Sequence, residues 1–333
     1  MDKHRFYQLG YAYYKQKEYD NAISEFNKII DGNNTIAQNA YYHLGESYIN
    51  LDKKSEALNA FRNASQMNFD LKIQEDAWLN YARVSYEIGN PYQSAPQVLA
   101  SYLEKYPKTS YKEEIETLLI DSYITSKNYK EALRLLKGKN SFENKEAYQK
   151  VAFYRGLELY NNGNYLEAES LFDSSLKEPR DPVYTSRATF WKAESDYNLT
   201  SYDDALVGFK QFRQYPESSS TPEIKNINYN IGYTYFKLKN YDQAIQFFNA
   251  FIATNKQDKV RLNDAYLRLG DAHFVSSEYN EALNAYAEAI KLNEIESDYP
   301  AFQKAISTGY AGQSSKKIKE LETFIRDYPK SKL

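Results

Sequence analysis

Residues 229–248 read Tyr229-Asn230-Ile231-Gly232-Tyr233-Thr234-Tyr235-Phe236-Lys237-Leu238-Lys239-Asn240-Tyr241-Asp242-Gln243-Ala244-Ile245-Gln246-Phe247-Phe248. Two phrases are nested here. One is an aliphatic residue beside a small one, with an aromatic three further on (Ile231, Gly232, Tyr235). The other is an aromatic, two residues, an alanine, and an apolar residue four further on (Tyr241, Ala244, Phe248).

The second phrase returns along the whole chain. It reads Tyr19 to Ala22 with Phe26, Tyr129 to Ala132 with Leu136, Tyr165 to Ala168 with Phe172, Tyr202 to Ala205 with Phe209, and Tyr279 to Ala282 with Tyr286. Looser copies are Lys54 to Ala57 with Phe61 and Tyr92 to Ala95 with Leu99. The eight alanines are 35, 38, 37, 36, 37, 39 and 38 residues apart. Twelve residues before most of them stands a small residue: Gly10, Gly45, Gly156, Ala193, Gly232 and Gly270. Self-similarity at such a period is the signature of a repeat array.

Each copy reads as two helices. In the first, Phe6, Leu9, Gly10 and Tyr13 share one face by three- and four-residue steps, and Ala22, Phe26 and Ile29 share another. Gln16-Lys17-Glu18 is a polar connector of the length that joins antiparallel helices. The small residues let the two helices approach closely, and the larger rings fill the space between neighbouring pairs. A single pair leaves an apolar side bare, so the pairs must stack.

Composition narrows the function classes. Lys and Arg number 42 against 45 Asp and Glu, a net charge of -3, which lacks the basic surface a nucleic-acid binder needs. No cysteine is present, which excludes disulfides, thiolate zinc sites and a cysteine nucleophile. A mean hydropathy of -0.76 and the lack of a long apolar run argue against a membrane span. Aromatics make up 16% of the chain, too many for a disordered one, and Tyr (34) outnumbers Phe (17). His4, near the terminus, His43 and His273 are far apart and in no ligand spacing, and His43 and His273 read as replacements of aromatic or surface polar residues. No phosphate-cradling glycine loop or nucleophile elbow occurs. Runs such as Glu113-Glu114 or Asp203-Asp204 read as solvated or dipole-favoured helix positions. The chain is thus expected to be no enzyme and to need no cofactor or metal.

The repeats resemble the tetratricopeptide repeat (TPR) family. The matching residues are the Leu-Gly-x-x-Tyr phrase (Leu44, Gly45, Tyr48; Ile231, Gly232, Tyr235) and the Ala-x-x-x-Phe phrase of each second helix, over residues 3 to about 328. The period is longer than the family's usual one, and the proline that usually ends each repeat is mostly missing. The resemblance implies an all-α, right-handed α-α superhelix. Residues 1–333 read as one array of eight helix pairs and a partial ninth. It could bend at the irregular stretch 138–144, and Pro91 and Pro96 should delay the second helix of the third pair. The array starts and stops without a polar capping element, which suggests a piece of a longer chain; the terminal Ser-Lys-Leu reads as a coincidence of the repeat phrase.

Three copies of Tyr-Pro-x-Ser/Thr, at 106–109, 215–218 and 328–331, narrow the resemblance to envelope-type TPR proteins of the BamD and CpoB kind. That likeness implies a periplasmic or outer-membrane-associated protein working in outer-membrane assembly, secretion or division; a cytoplasmic one stays open. In TPR proteins the concave surface is lined by first-helix positions near 2, 5, 9, 12 and 13, counting the small residue as position 8. Here these positions give Tyr7, Tyr11, Tyr14, Tyr42, Tyr86, Phe153, Tyr160, Phe190, Tyr197, Tyr229, Tyr233, Phe236 and Phe274, with Glu46, Asp121, Glu194 and Asp271 among them. The co-chaperone clamp for a C-terminal carboxylate needs Lys and Asn where this chain has Tyr7 and Tyr11, so such a partner is not expected. The reading is a scaffold holding a protein or peptide segment in an aromatic groove, with the densest part at Tyr197, Tyr229, Tyr233 and Phe236. The alternative is a glycan, such as peptidoglycan, stacked on tyrosine rings. Rings that brace neighbouring helices instead would be mostly buried.

Overall fold

The computed structural model describes residues 3–295 and 298–333. All regular structure among them is helical, without a strand. The chain divides into two compact units, Met1–Lys139 and Asn140–Leu333. The first unit holds α1 (Lys3–Lys15), α2 (Tyr19–Phe26), α3 (Thr35–Asn50), α4 (Lys54–Gln66), α5 (Leu71–Ile88), α6 (Ala95–Lys105), α7 (Lys112–Thr125) and α8 (Tyr129–Leu136). The second holds α9 (Phe142–Asn161), α10 (Tyr165–Lys177), α11 (Pro182–Asn198), α12 (Tyr202–Gln214), α13 (Ile227–Lys237) and α14 (Tyr241–Thr254). It continues through α15 (Lys259–Val275), α16 (Tyr279–Leu292), α17 (Tyr299–Tyr310) and α18 (Ser314–Asp327). Within each unit a helix packs on the one before it and the one after it.

The turn inside each pair is nearly invariant. In eight pairs the residue before the second helix donates its N–H to the carbonyl five residues back, at 2.7–3.1 Å, as Asn240 does to Tyr235. The residue between adopts a left-handed conformation: Lys17, Asp52, Lys127, Gly163, Thr200, Lys239, Ser277 and Gly312 have φ of 56–83°. This is a Schellman closure, which satisfies the last carbonyls of the first helix while reversing the chain. A turn of constant length explains the constant twelve-residue step from small residue to alanine.

The small residues have a defined neighbour. A side-chain carbon added to Gly45, Gly156 or Gly270 would stand 2.6–2.7 Å from the ring of Phe61, Phe172 or Tyr286, sixteen residues on. The ring of the second helix lies on the glycine of the first. In the sixth pair Ala193 replaces the glycine, and the second helix offers Gly208 opposite it, 2.8 Å from Ala193 by the same measure. Ala22, Ala205, Ala244 and Ala282 are fully buried, as the crossing predicts.

Two expectations need correction. Ala95 is not a crossing residue. Pro91 and Pro96 delay the second helix, which begins at Ala95 behind a Ser94–Gln97 capping box, and the buried residues are Val98, Leu99 and Tyr102. The pattern is displaced by three residues. The ninth pair, expected as partial, has both helices: Lys317 stands where other pairs place alanine, and its stem lies on Gly309.

Pairs are joined by buried amides. Fully buried Gln38 donates to the carbonyls of Met67 (2.8 Å) and Asp70 (3.1 Å) and accepts from the Asp70 N–H (2.7 Å). Gln149 likewise accepts from the N–H groups of Arg180 (2.9 Å) and Asp181 (2.8 Å), and Asn263 from those of Glu294 (2.8 Å) and Ile295 (3.3 Å). All three stand seven residues before a small residue. Between α12 and α13 the link is two short 3-10 helices, Pro216–Ser220 and Pro222–Asn226. Buried Glu223 anchors them, accepting from Arg187 and Trp191 of α11, each at 2.9 Å.

Candidate functional site

The structure sorts the groove rings into two clusters and some outliers. Phe153 and Phe190 are core residues, which corrects the expectation that they line a surface. Phe153 packs on Phe172 and Tyr184, and Phe190 on Phe209 and Phe212, at 5.2–6.0 Å between ring centres. A phenylalanine at this position has no hydroxyl to carry toward water, so it buries completely against its own second helix and the adjoining pair. Tyr86 is exposed and donates to Asp121 at 2.6 Å. Phe236 and Phe274 are half-buried, edge-on to Tyr241 and Tyr279 of their own second helices.

In the first unit Tyr7, Tyr11, Tyr14 and Tyr42 gather around His43, with ring centres 6.2, 5.0, 5.1 and 5.2 Å from the imidazole. His43 is therefore not a surface residue: only 12% of its side chain is exposed, and Nδ1 lies 3.1 Å from Glu46 Oε2. Burial opposes ionisation of Glu46, but hydrogen bonds from His43, Tyr14 and Tyr42 outweigh it and hold the carboxyl below its usual range.

In the second unit Tyr160, Tyr197, Tyr229 and Tyr233 come together with Glu194, Asn198, Asn230 and Phe209 around an open cavity of about 240 Å³. The tyrosines, Glu194 and the two asparagines arrive from three first helices, α9, α11 and α13. Tyr160 donates to Glu194 Oε2 at 2.9 Å and accepts from Asn198 at 3.0 Å. Asn230 donates to Glu194 Oε1. Tyr229 donates to Asp264 of α15 at 2.7 Å, and Tyr233 also donates to Asp264. Arg268 donates to the Tyr233 hydroxyl at 3.1 Å and to Asp271 at 2.6 Å. Burial raises the carboxyl of Glu194 above its ordinary range. It also raises the phenols, with Tyr197 pushed up to about 12 and Tyr160, Tyr229 and Tyr233 further. The rings are half-buried. The hydroxyls of Tyr160, Tyr229 and Tyr233 brace the next first helix, and the same residues line the cavity.

Asn230, Asn198, Asp264 and Arg268 were not singled out by the sequence. Asp264 was within reach, because it stands at position 2 of its repeat, which is a groove position in TPR proteins. Nothing in the spacing marks position 6, where Asn230 and Arg268 stand. Among the described residues no three His, Asp or Glu side chains are grouped as metal ligands, and no helix is long and apolar enough to cross a membrane.

Two family models, both described as tetratricopeptide repeat, match this chain, one over residues 38–71, 226–258 and 264–296 and the other over 6–31. The matched segments fall in both units. A NADPH oxidase activator of Dictyostelium discoideum is 37% identical over 112 residues, 29% of this chain and 18% of that protein. The chain therefore spans under a fifth of the curated relative it matches. Among solved structures, MamA from Desulfovibrio magneticus aligns at 16% identity and a TM-score of 0.46, over 56% of this chain and 98% of that one. YrrB, described as a TPR protein with an unusual peptide-binding site, aligns at 15% identity and a TM-score of 0.47, over 61% and 93%.

Proposed function

We propose that this tetratricopeptide-repeat chain is a non-enzymatic scaffold that binds a protein segment along the first helices of its second unit. One observation carries the reading: the open cavity that four tyrosines from three successive repeats form over Glu194 and Asn230. Ring area left facing water at consecutive repeats is what a partner surface leaves when the partner is absent. Among the cavity tyrosines the planes of Tyr229 and Tyr233 are tilted by 59° to each other. Tilted rings with gaps suit the side chains of an extended or helical peptide. A sugar face would call for a flat platform, so the geometry favours peptide over glycan.

The setting we propose is the bacterial cell envelope, in outer-membrane assembly, secretion or division machinery. Its support is the Tyr-Pro-x-Ser/Thr phrase. That phrase also has local work: Tyr106 closes α6, and Thr109 bonds the Tyr102 hydroxyl at 2.9 Å. Fractionation of the native cells tests the setting, and recovery of the protein only with cytosolic markers would overturn it. The groove is tested by Tyr197→Ala, with Leu166→Ala, an exposed residue of α10, as control. Both variants should keep their helicity, and only Tyr197→Ala should lose the native partner in affinity recovery. Undiminished recovery by Tyr197→Ala would move the binding surface elsewhere.

A further inference from the structure

We propose that the cavity of the second unit holds the ammonium group of a partner lysine, caged by Tyr160, Tyr197, Tyr229 and Tyr233 and held by Glu194 and Asn230. This rests on the groove reading and names the side chain that the groove selects.

The first support is a missing charge. Among the described residues no Lys or Arg lies within ion-pair distance of Glu194, whose hydrogen bonds come from Tyr160 and Asn230. Arg261 is near enough to act on Glu194 but is bound to Asp258. Arg268 pairs with Asp271 and Asp264. The network from α11 to α15 thus sets one guanidinium against Glu194, Asp264 and Asp271. A carboxylate removed from water without a counter-charge is costly, and an incoming cation relieves that cost.

The second support is an orphan acceptor. Asn230 Oδ1 is buried and has no hydrogen-bond partner, and its residue lines the same cavity. Each oxygen of Glu194 accepts one bond and has a lone pair to spare. The remaining acceptors thus belong to two side chains, on α11 and α13. An ammonium, with three diverging donors, can serve both; a guanidinium prefers the two oxygens along one carboxylate edge. Tyrosine faces around a cation supply the further attraction of an aromatic cage.

The third support is inside the chain. Glu46 of the first unit stands at the same repeat position as Glu194, and Tyr14 at the same position as Tyr160. There the space among the tyrosines is filled by His43, whose Nδ1 meets Glu46. The counterpart of His43 in α11 is Trp191, which instead donates to Glu223. Trp191 packs on Tyr160 at 5.0 Å between ring centres, as His43 does on Tyr14 at 5.1 Å, but its N–H is spent on Glu223, so Glu194 gains no nitrogen partner of the kind Glu46 has.

The test is calorimetric titration of the full chain with a blocked Gly-Gly-Lys-Gly-Gly peptide and the same peptide carrying norleucine or arginine. Lysine should bind at least tenfold tighter than norleucine and tighter than arginine. Glu194→Gln, which keeps the acceptor for Tyr160, should abolish that preference. Tyr197→Leu should weaken lysine binding severalfold and serves if Glu194→Gln does not fold. Equal binding of lysine and norleucine, tighter binding of arginine, binding of none, or an undiminished preference in folded Glu194→Gln would each overturn the assignment. Tyr197→Ala losing the native partner while no lysine preference exists would leave the groove reading intact and remove only this one.

Discussion

At the scale of the residue, stability rests on exchanges that helix propensity alone would misjudge. Gly156 is mid-helix, where alanine is ordinarily better by about 1 kcal/mol. Here the added carbon would stand 2.6 Å from the packed ring of Phe172, so the ring must move. Gly156→Ala should therefore destabilise by about 1–2 kcal/mol, as overpacking does; a raised denaturation midpoint would show that the ring has room. Gln149 makes the opposite point, because a buried polar group is useful there. Gln149→Leu would leave the N–H groups of Arg180 and Asp181 without their acceptor. The expected loss is about 1–3 kcal/mol, read by chemical denaturation, and a neutral result would mean that water replaces the amide.

At the scale of the element, the alanine ladder makes a prediction that separates two similar substitutions. Ala244 is fully buried at a helix crossing, whereas Ala95 is half-buried in the first turn of α6. Ala244→Leu should cost about 1–3 kcal/mol by overpacking, and Ala95→Leu less than about 0.5 kcal/mol, as surface changes do. Equal losses on denaturation would refute the displaced pattern of α6. The example shows what was legible. Helix pairs follow from the spacing of Gly, Ala and aromatic residues, because steric fit at a crossing repeats with the repeat. The shift from Ala95 to Val98 does not, because Val98 and Tyr102 match the phrase only when the longer loop is known. The Gln38, Gln149 and Asn263 latches were hidden because their partners are backbone groups, which leave no trace in side-chain identity. That Tyr160, Tyr197, Tyr229 and Tyr233 border one cavity was legible by position, while Phe153 and Phe190 share such positions and are buried. Position specifies a direction along the helix; whether a ring stops at the surface depends on what the next repeat places over it.

At the scale of the whole molecule, the tyrosines give the fold a sensitivity to alkali. Burial holds the phenols of Tyr7, Tyr197 and Tyr299 at about 12, against about 10 in an unfolded chain. A raised folded value means that the neutral phenol is favoured in the native state. That stability is fully present below about pH 10 and is lost as pH rises through about 12. Helicity and tyrosinate absorbance followed together should show exposed tyrosines ionising first and the buried set ionising with the loss of helix. Ionisation of every tyrosine near pH 10 with helicity intact would contradict this. The repeated turns carry a different consequence, one for the engineer. Lys17, Asp52, Lys127, Thr200, Lys239 and Ser277 hold a backbone conformation that side chains disfavour and that Gly163 and Gly312 adopt freely at the same place in their own pairs. Thr200, branched at Cβ, is the worst suited, and Thr200→Gly should raise the midpoint of thermal unfolding by the equivalent of about 0.5–1 kcal/mol, the sterics outweighing the added freedom of the unfolded chain. A lowered midpoint would mean that freedom wins. Because the six turns belong to separate pairs, their gains should sum. A heat-resistant version of the protein could then be made without altering one residue of its core or its groove.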